Sequence, residues 1–102
     1  MDKVFKALGD PTRRKILQLL REREMTAGEI ADCFALAKPT LSGHFSVLRE
    51  ADLVASEKSG TTITYRLNVS VLEEALIGFA NVFGMGVKTT RRATVMKEKR
   101  HA

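Results

Sequence analysis

The sequence predicts a mainly α-helical chain with one small β-hairpin, in the order α-α-α-α-β-β-α, and three observations carry that prediction. Apolar residues recur at helical spacing in five separate segments, and the helical segments open on recognisable capping residues. A single stretch after Leu53 switches to strict alternation around a glycine.

Val4, Phe5 and Leu8 lie at i, i+1 and i+4, marking a short amphipathic helix that ends at Gly9. Asp10-Pro11 opens the second helix. Aspartate accepts from the unpaired N–H groups of a first turn, and proline suits a position whose N–H has no partner. Ile16, Leu17 and Leu20 form the buried stripe of this helix. Arg13 and Arg14 near its start oppose the helix dipole, so they call for a partner, and a salt bridge to Asp10 or Glu29 serves equally well.

Thr26-Ala27-Gly28-Glu29 has the spacing of a capping box and opens a third helix with Ile30, Ala31 and Phe34 inward. Ala35-Leu36-Ala37 leaves room only for a tight turn before Lys38-Pro39 starts a fourth helix, running to residue 51. Leu41, His44, Phe45 and Leu48 repeat there at i, i+3, i+4 and i+7 as a core stripe. The other face carries Lys38, Thr40, Ser42, Gly43 and Ser46, and Thr40 is placed to cap the helix. Val54–Glu57 and Thr62–Leu67 read as strands, with Lys58-Ser59-Gly60-Thr61 as the hairpin tip. Ser70-Val71-Leu72-Glu73 is a second capping box, opening a last helix that Gly84 and Gly86 end.

A chain of 102 residues is one domain, expected over 1–87, and buries roughly 65% of its unfolded surface. From Lys88 onward six basic groups face one acidic group, while residues 1–87 carry eleven of each. The net charge of +5 is thus a basic tail, 88–102, a solvated terminus or a source of non-specific phosphate contacts. Cys33 stands alone, which excludes an internal disulfide and a Cys-rich metal cage. No apolar run approaches the ~20 residues that span a bilayer, and the first residues are no secretory signal, so the expected location is cytoplasmic. No catalytic residues emerge: there is no Gly-rich phosphate loop, no supported Ser/His/Asp set, and no paired carboxylates beyond Glu73-Glu74. An enzyme is not expected.

Two short helices about three residues apart, the second with a small, polar outer face, describe a helix-turn-helix, and the hairpin that follows is its wing. The runs Phe5–Leu17, Lys38–Leu48, and Lys58–Gly60 with Tyr65-Arg66-Leu67 resemble the opening, recognition helix and wing of ArsR/SmtB-type winged-helix repressors. Asp10–Leu17 and Met25–Asp32 are most similar to the SdpR autorepressor group of that family.

The resemblance implies a repressor that binds double-stranded operator DNA at an inverted repeat as a homodimer, paired through the first and last helices. Val4, Phe5, Leu8, Leu72, Leu76, Phe79 and Phe83 would form that interface, the last four serving alternatively as plain intramolecular core. Lys38, Pro39, Thr40, Ser42, Gly43, His44 and Ser46 would face the major groove, and Lys58, Gly60 and Arg66 of the wing the backbone or minor groove. Gly43 departs from the family, which usually has a polar side chain there; direct base reading is poorer for it, unless the backbone approaches DNA closely.

His44 reads as a structural histidine bonding a neighbouring backbone group or a phosphate. Metal-sensing members carry cysteines in the third helix where this chain has Thr26-Ala27-Gly28-Glu29-Ile30. Others place His and Asp on the last helix, which has neither here. No metal and no cofactor are therefore expected, and Cys33 reads as an inert small hydrophobe, with a redox-sensing thiol as the alternative. For the SdpR group the resemblance also implies a membrane-bound antagonist protein. A second class remains open, a winged-helix protein-interaction module with weak DNA affinity, favoured by Gly43 and by the neutral balance of residues 1–87.

Overall fold

The computed structural model describes residues 2–85. Its elements are α1 (Asp2–Leu8), α2 (Pro11–Glu22), β1 (Met25–Thr26), α3 (Ala27–Ala31), α4 (Lys38–Glu50), β2 (Val54–Ser59), β3 (Thr62–Leu67) and α5 (Val69–Val82). Two compact units meet in sequence between Val69 and Ser70. The expected tail 88–102, and Gly86, lie outside the described residues.

In the first unit the expected stripes are the core. Ile16, Leu17 and Leu20 of α2, Ile30 of α3, and Leu41, Phe45 and Leu48 of α4 are buried together with Met25, Leu53, Val54 and Tyr65. In α1 the buried residues are Val4 and Ala7, while Phe5 and Leu8 are half-buried. Phe34 is half-buried just beyond α3.

Asp10 caps α2 as expected: its Oδ1 accepts from the N–H groups of Thr12 (2.8 Å) and Arg13 (3.1 Å). Thr26 and Glu29 close the capping box of α3, at 2.8 Å and 3.1 Å. These bonds stabilise the charged carboxylates. The Arg13 N–H foremost, then the charges of His44 and Arg13, holds Asp10 below the usual carboxylate range, and the Thr26 N–H does the same for Glu29. A carboxyl whose folded value is depressed contributes stability above its unfolded value, and that share is lost as pH falls through the folded one. Thermal melts are therefore expected to weaken below about pH 4. Asp10→Asn, which can still cap, should flatten part of that fall; an unchanged acid limb would show that the Asp10 cap carries none of it.

The hairpin differs from the expected two strands. A third strand, β1, adds to its edge, giving an antiparallel sheet in the order β1-β3-β2 with Met25 opposite Tyr65 and Thr26 opposite Thr64. In addition, β2 continues to Ser59, so Lys58 lies in the strand opposite Ile63 and the tip is only Gly60-Thr61. Gly60 supplies the positive φ (62°) that a two-residue hairpin turn needs at its first central position.

Two further expectations about helix ends are corrected. The link before α4 runs from residue 32 to 37, and the N-cap is Ala37, with no side-chain cap. Thr40 lies three residues into the helix, where it cannot cap. Likewise α5 begins at Val69, which puts Ser70 inside its first turn. The start is fixed from outside the helix: the Asn68 N–H donates to the Leu53 carbonyl (2.9 Å) and its Nδ2 to the Asp52 carbonyl (2.8 Å).

Helix α4 ends in a Schellman arrangement, with Asp52 N–H on the Arg49 carbonyl and Leu53 N–H on the Leu48 carbonyl. Asp52 takes the left-handed conformation there (φ 59°), a strain of about 1 kcal/mol for a residue with a Cβ. The fully buried pair Leu48 and Leu53 flanks this turn and offsets the strain.

In the second unit α5 ends in the same motif, with Gly84 left-handed (φ 70°) and the Met85 N–H on the Ala80 carbonyl. Leu76, Phe79, Val82, Phe83 and Met85 are exposed, Val82 by 71% and Phe83 by 64%, and Leu72 is half-buried. The rings of Phe79 and Phe83 meet edge to face at 5.1 Å.

Candidate nucleic-acid interface

Helix α4 is seated by Leu41, Phe45 and Leu48, which leaves the other side of its first two turns to solvent. Lys38, Pro39, Thr40, Ser42 and Gly43 are all exposed, and Ser46 is half-buried. A Cβ built at Gly43 meets nothing within 4 Å, so no contact within the chain requires a glycine there. Lys38 and Ser42 also edge a recess of about 310 Å³ between α3, α4 and β3, lined by small and apolar residues such as Ala27, Gly28 and Ile63.

One cation on this helix escaped the sequence reading. Arg49 is exposed and donates to the Ser46 Oγ at 3.4 Å. It continues the line from Lys38 through Ser42 and Ser46 at helical spacing. The signal was present in that spacing, but the position lies beyond the N-terminal turns that usually reach bases.

The wing places its two cations differently. Directly opposed residues of an antiparallel pair share a face, so Lys58 goes with Ile63 and Tyr65, and Arg66 goes with Ala55 on the reverse face. Tyr65 is buried and its ring stacks on Phe45 of α4, with centroids 4.4 Å apart and planes 20° apart. Burial pushes the Tyr65 phenol above its usual value. Lys58 therefore extends the sheet face that meets the recognition helix, and Arg66 stands on the other face, three residues further from the tip than the Lys58–Ile63 pair.

His44 is half-buried, and its Nδ1 lies 3.1 Å from Nη1 of Arg13. The same guanidinium donates through Nε to the Ala7 carbonyl (2.9 Å) and through Nη2 to the Lys6 carbonyl (2.9 Å). Arg14 donates to the Leu8 carbonyl at 2.8 Å. The partner sought for Arg13 and Arg14 is thus the C-terminal end of α1, where carbonyls lack intrahelical donors and cations are favoured. Neither arginine forms the salt bridge to Asp10 or Glu29 that the sequence suggested. Asp10 is engaged by backbone N–H groups, and Glu29 pairs with Arg23 at 3.4 Å.

Among the described residues no three His, Cys, Asp or Glu side chains gather as metal ligands. The third-helix stretch Thr26–Ile30 offers one carboxylate, Glu29, already tied to the Thr26 N–H. That donor set does not fit a thiolate metal site. Cys33 is exposed rather than packed into the core, its Sγ 3.5 Å from the Glu29 carbonyl. It falls past the end of α3, where the expected inward face no longer continues. Among the described residues no helix is long and apolar enough to cross a membrane.

This arrangement recurs in known proteins. The family described as a helix-turn-helix domain matches residues 8–57. The transcriptional repressor SdpR of Bacillus subtilis is 43% identical over 84% of this chain and 96% of its own length. An arsenical resistance operon repressor of Staphylococcus xylosus is 37% identical over 69% of this chain and 67% of that protein. A solved ArsR-like transcriptional regulator from Rhodococcus sp. RHA1 superposes with a TM-score of 0.74 at 26% identity, covering 98% of this chain and 89% of that one. The chain belongs to the ArsR family of winged helix-turn-helix transcription repressors.

Proposed function

We propose that the chain represses transcription, its own promoter included, as a metal-independent homodimer that occupies an inverted-repeat operator and performs no catalysis. The observation that carries this reading is the bare N-terminal half of α4, whose exposed lysine, hydroxyls and glycine stand on the side away from the core. Lys38, Thr40, Ser42 and Ser46 are hydrogen-bonding groups for bases or phosphates, and Pro39 and Gly43 let the backbone come close. His44 contributes at the edge of this face, and the wing contributes Lys58, Gly60 and Arg66.

Dimerisation uses α5, with Leu72, Leu76 and Phe79 and with Phe83 just past its end, and α1, with Phe5 and Leu8. Val4, buried in the single chain, is the weakest member of that set. Residues 1–87 act as one domain in the cytoplasm, followed by a basic tail, and a membrane-bound or other protein is the antagonist that relieves repression.

Titration of the purified protein against its own upstream DNA, at several salt concentrations and with or without chelator, tests this. Tight, salt-sensitive, chelator-insensitive binding to an inverted repeat is expected, on the order of 10⁻⁸ to 10⁻¹¹ M. Weak, sequence-blind binding would favour the protein-interaction module, and a chelator effect would reveal a metal site. Within that assay the two wing cations should separate. Lys58→Ala is expected to lower the salt slope by about one, and Arg66→Ala by less, because only Lys58 shares the sheet face that adjoins α4. Equal slopes for the two variants would refute that geometry.

A further inference from the structure

We propose that Arg13 is a positioning residue for DNA recognition, fastening α4 to the end of α1 through His44 and fixing which imidazole nitrogen the recognition helix carries as a donor. It rests on the reading of α4 as the DNA-contacting helix. Three donors of one guanidinium reach two elements: Nε and Nη2 the carbonyls of Ala7 and Lys6, Nη1 the Nδ1 of His44. The rigid fork of arginine makes this a geometric constraint as well as three bonds, since moving α4 along α1 would break the third while the first two hold.

The third bond also settles the ring's chemistry. A guanidinium can only donate, so Nδ1 must accept, and a neutral His44 then carries its proton on Nε2. Arg13 on α2 and Asp10 at its cap are the charged groups set against the imidazole, while α1 meets the same guanidinium through carbonyl oxygens. The latch therefore depends on Nδ1 keeping its lone pair for the guanidinium. A lysine at 13 cannot close it, having one nitrogen where the site uses three.

The test joins two readouts, one of which needs no DNA. Nitrogen NMR of the imidazole reads the tautomer directly: His44 is expected as the Nε2–H form in the parent protein and as a mixture in Arg13→Gln. Operator titrations are then run on Arg13→Gln, Arg13→Lys, His44→Ala, the double variant Arg13→Gln/His44→Ala, and His44→Asn, whose Oδ1 keeps an acceptor near the place of Nδ1. Arg13→Gln, Arg13→Lys and His44→Ala should each weaken operator binding about tenfold with helix content retained, and the double variant should be no weaker than either single variant. His44→Asn, which keeps an acceptor, should recover part of the affinity that His44→Ala loses. Additive losses in the double variant, or a His44→Asn protein that binds no tighter than His44→Ala, would overturn the proposal. A parent that binds no operator would instead sink the DNA reading, and the NMR result would still decide the latch.

Discussion

Replacing Leu76 and Phe83 together by glutamate is expected to turn the protein into a monomer and to weaken operator binding by about a hundredfold or more. Leu76 lies on α5 and Phe83 just past its end, seven residues on, and both are exposed, by 46% and 64%. In the single chain the change meets solvent, where surface substitutions cost within about 0.5 kcal/mol. Across a two-fold axis it would set like charges into an apolar contact, each desolvated without a partner. Once the two recognition helices are no longer linked, each half-site must be bound alone, and the local concentration that the dimer supplies is lost. Sedimentation and operator titration on the same samples check both halves. A glutamate variant that still sediments as a dimer would show that α5 does not carry the interface. A monomer that binds as tightly as the parent would show that dimerisation is not how the operator is held.

How far the fold could be read in the sequence follows from the range of each interaction. The Asp10 cap and the Thr26–Glu29 box were legible because every atom involved lies within three residues. The stripe of Leu41, Phe45 and Leu48 was legible because burial imposes its period on the helix. Strand β1 was not, since two residues carry no alternation and its partner Tyr65 is about 40 residues away. The same holds for Arg13: its unfavourable place near a helix start was visible, but its acceptors lie on α1 and, 31 residues on, at His44. Ser70 misled because a correct local motif was overruled by Asn68, whose bonds to Asp52 and Leu53 begin the helix earlier. As for the interface, the exposed face of α4 followed from the core stripe alone. The separation of Lys58 from Arg66 needed the hairpin register, which a strand two residues longer than expected had shifted.

Truncating Phe45 to alanine should have the largest effect on the fold, a loss of about 3–5 kcal/mol, because it removes a buried ring and leaves its cavity. Phe45 is 6% exposed and lies flat against Tyr65, itself 3% exposed, with ring centroids 4.4 Å apart. Offset stacking adds about 0.5–1.5 kcal/mol to the burial of the two rings. Domains of this size hold only about 5–15 kcal/mol in total, so the variant is expected to lie near the edge of folding. Phe45→Leu keeps most of the apolar volume and should cost clearly less. Urea melts with matched slopes measure both, and a Phe45→Ala protein within about 1 kcal/mol of the parent would show that the stack is not what secures the core. The ring also joins two elements that must meet DNA at once, the recognition helix through its own backbone and the wing through Tyr65. Below its melting temperature the leucine variant should therefore lose more operator affinity than its stability alone accounts for, since Lys58 is held in line with α4 through that contact. If instead its affinity stays at the parent level while the protein remains folded, the wing is aligned by the sheet's own register and the stack serves stability only.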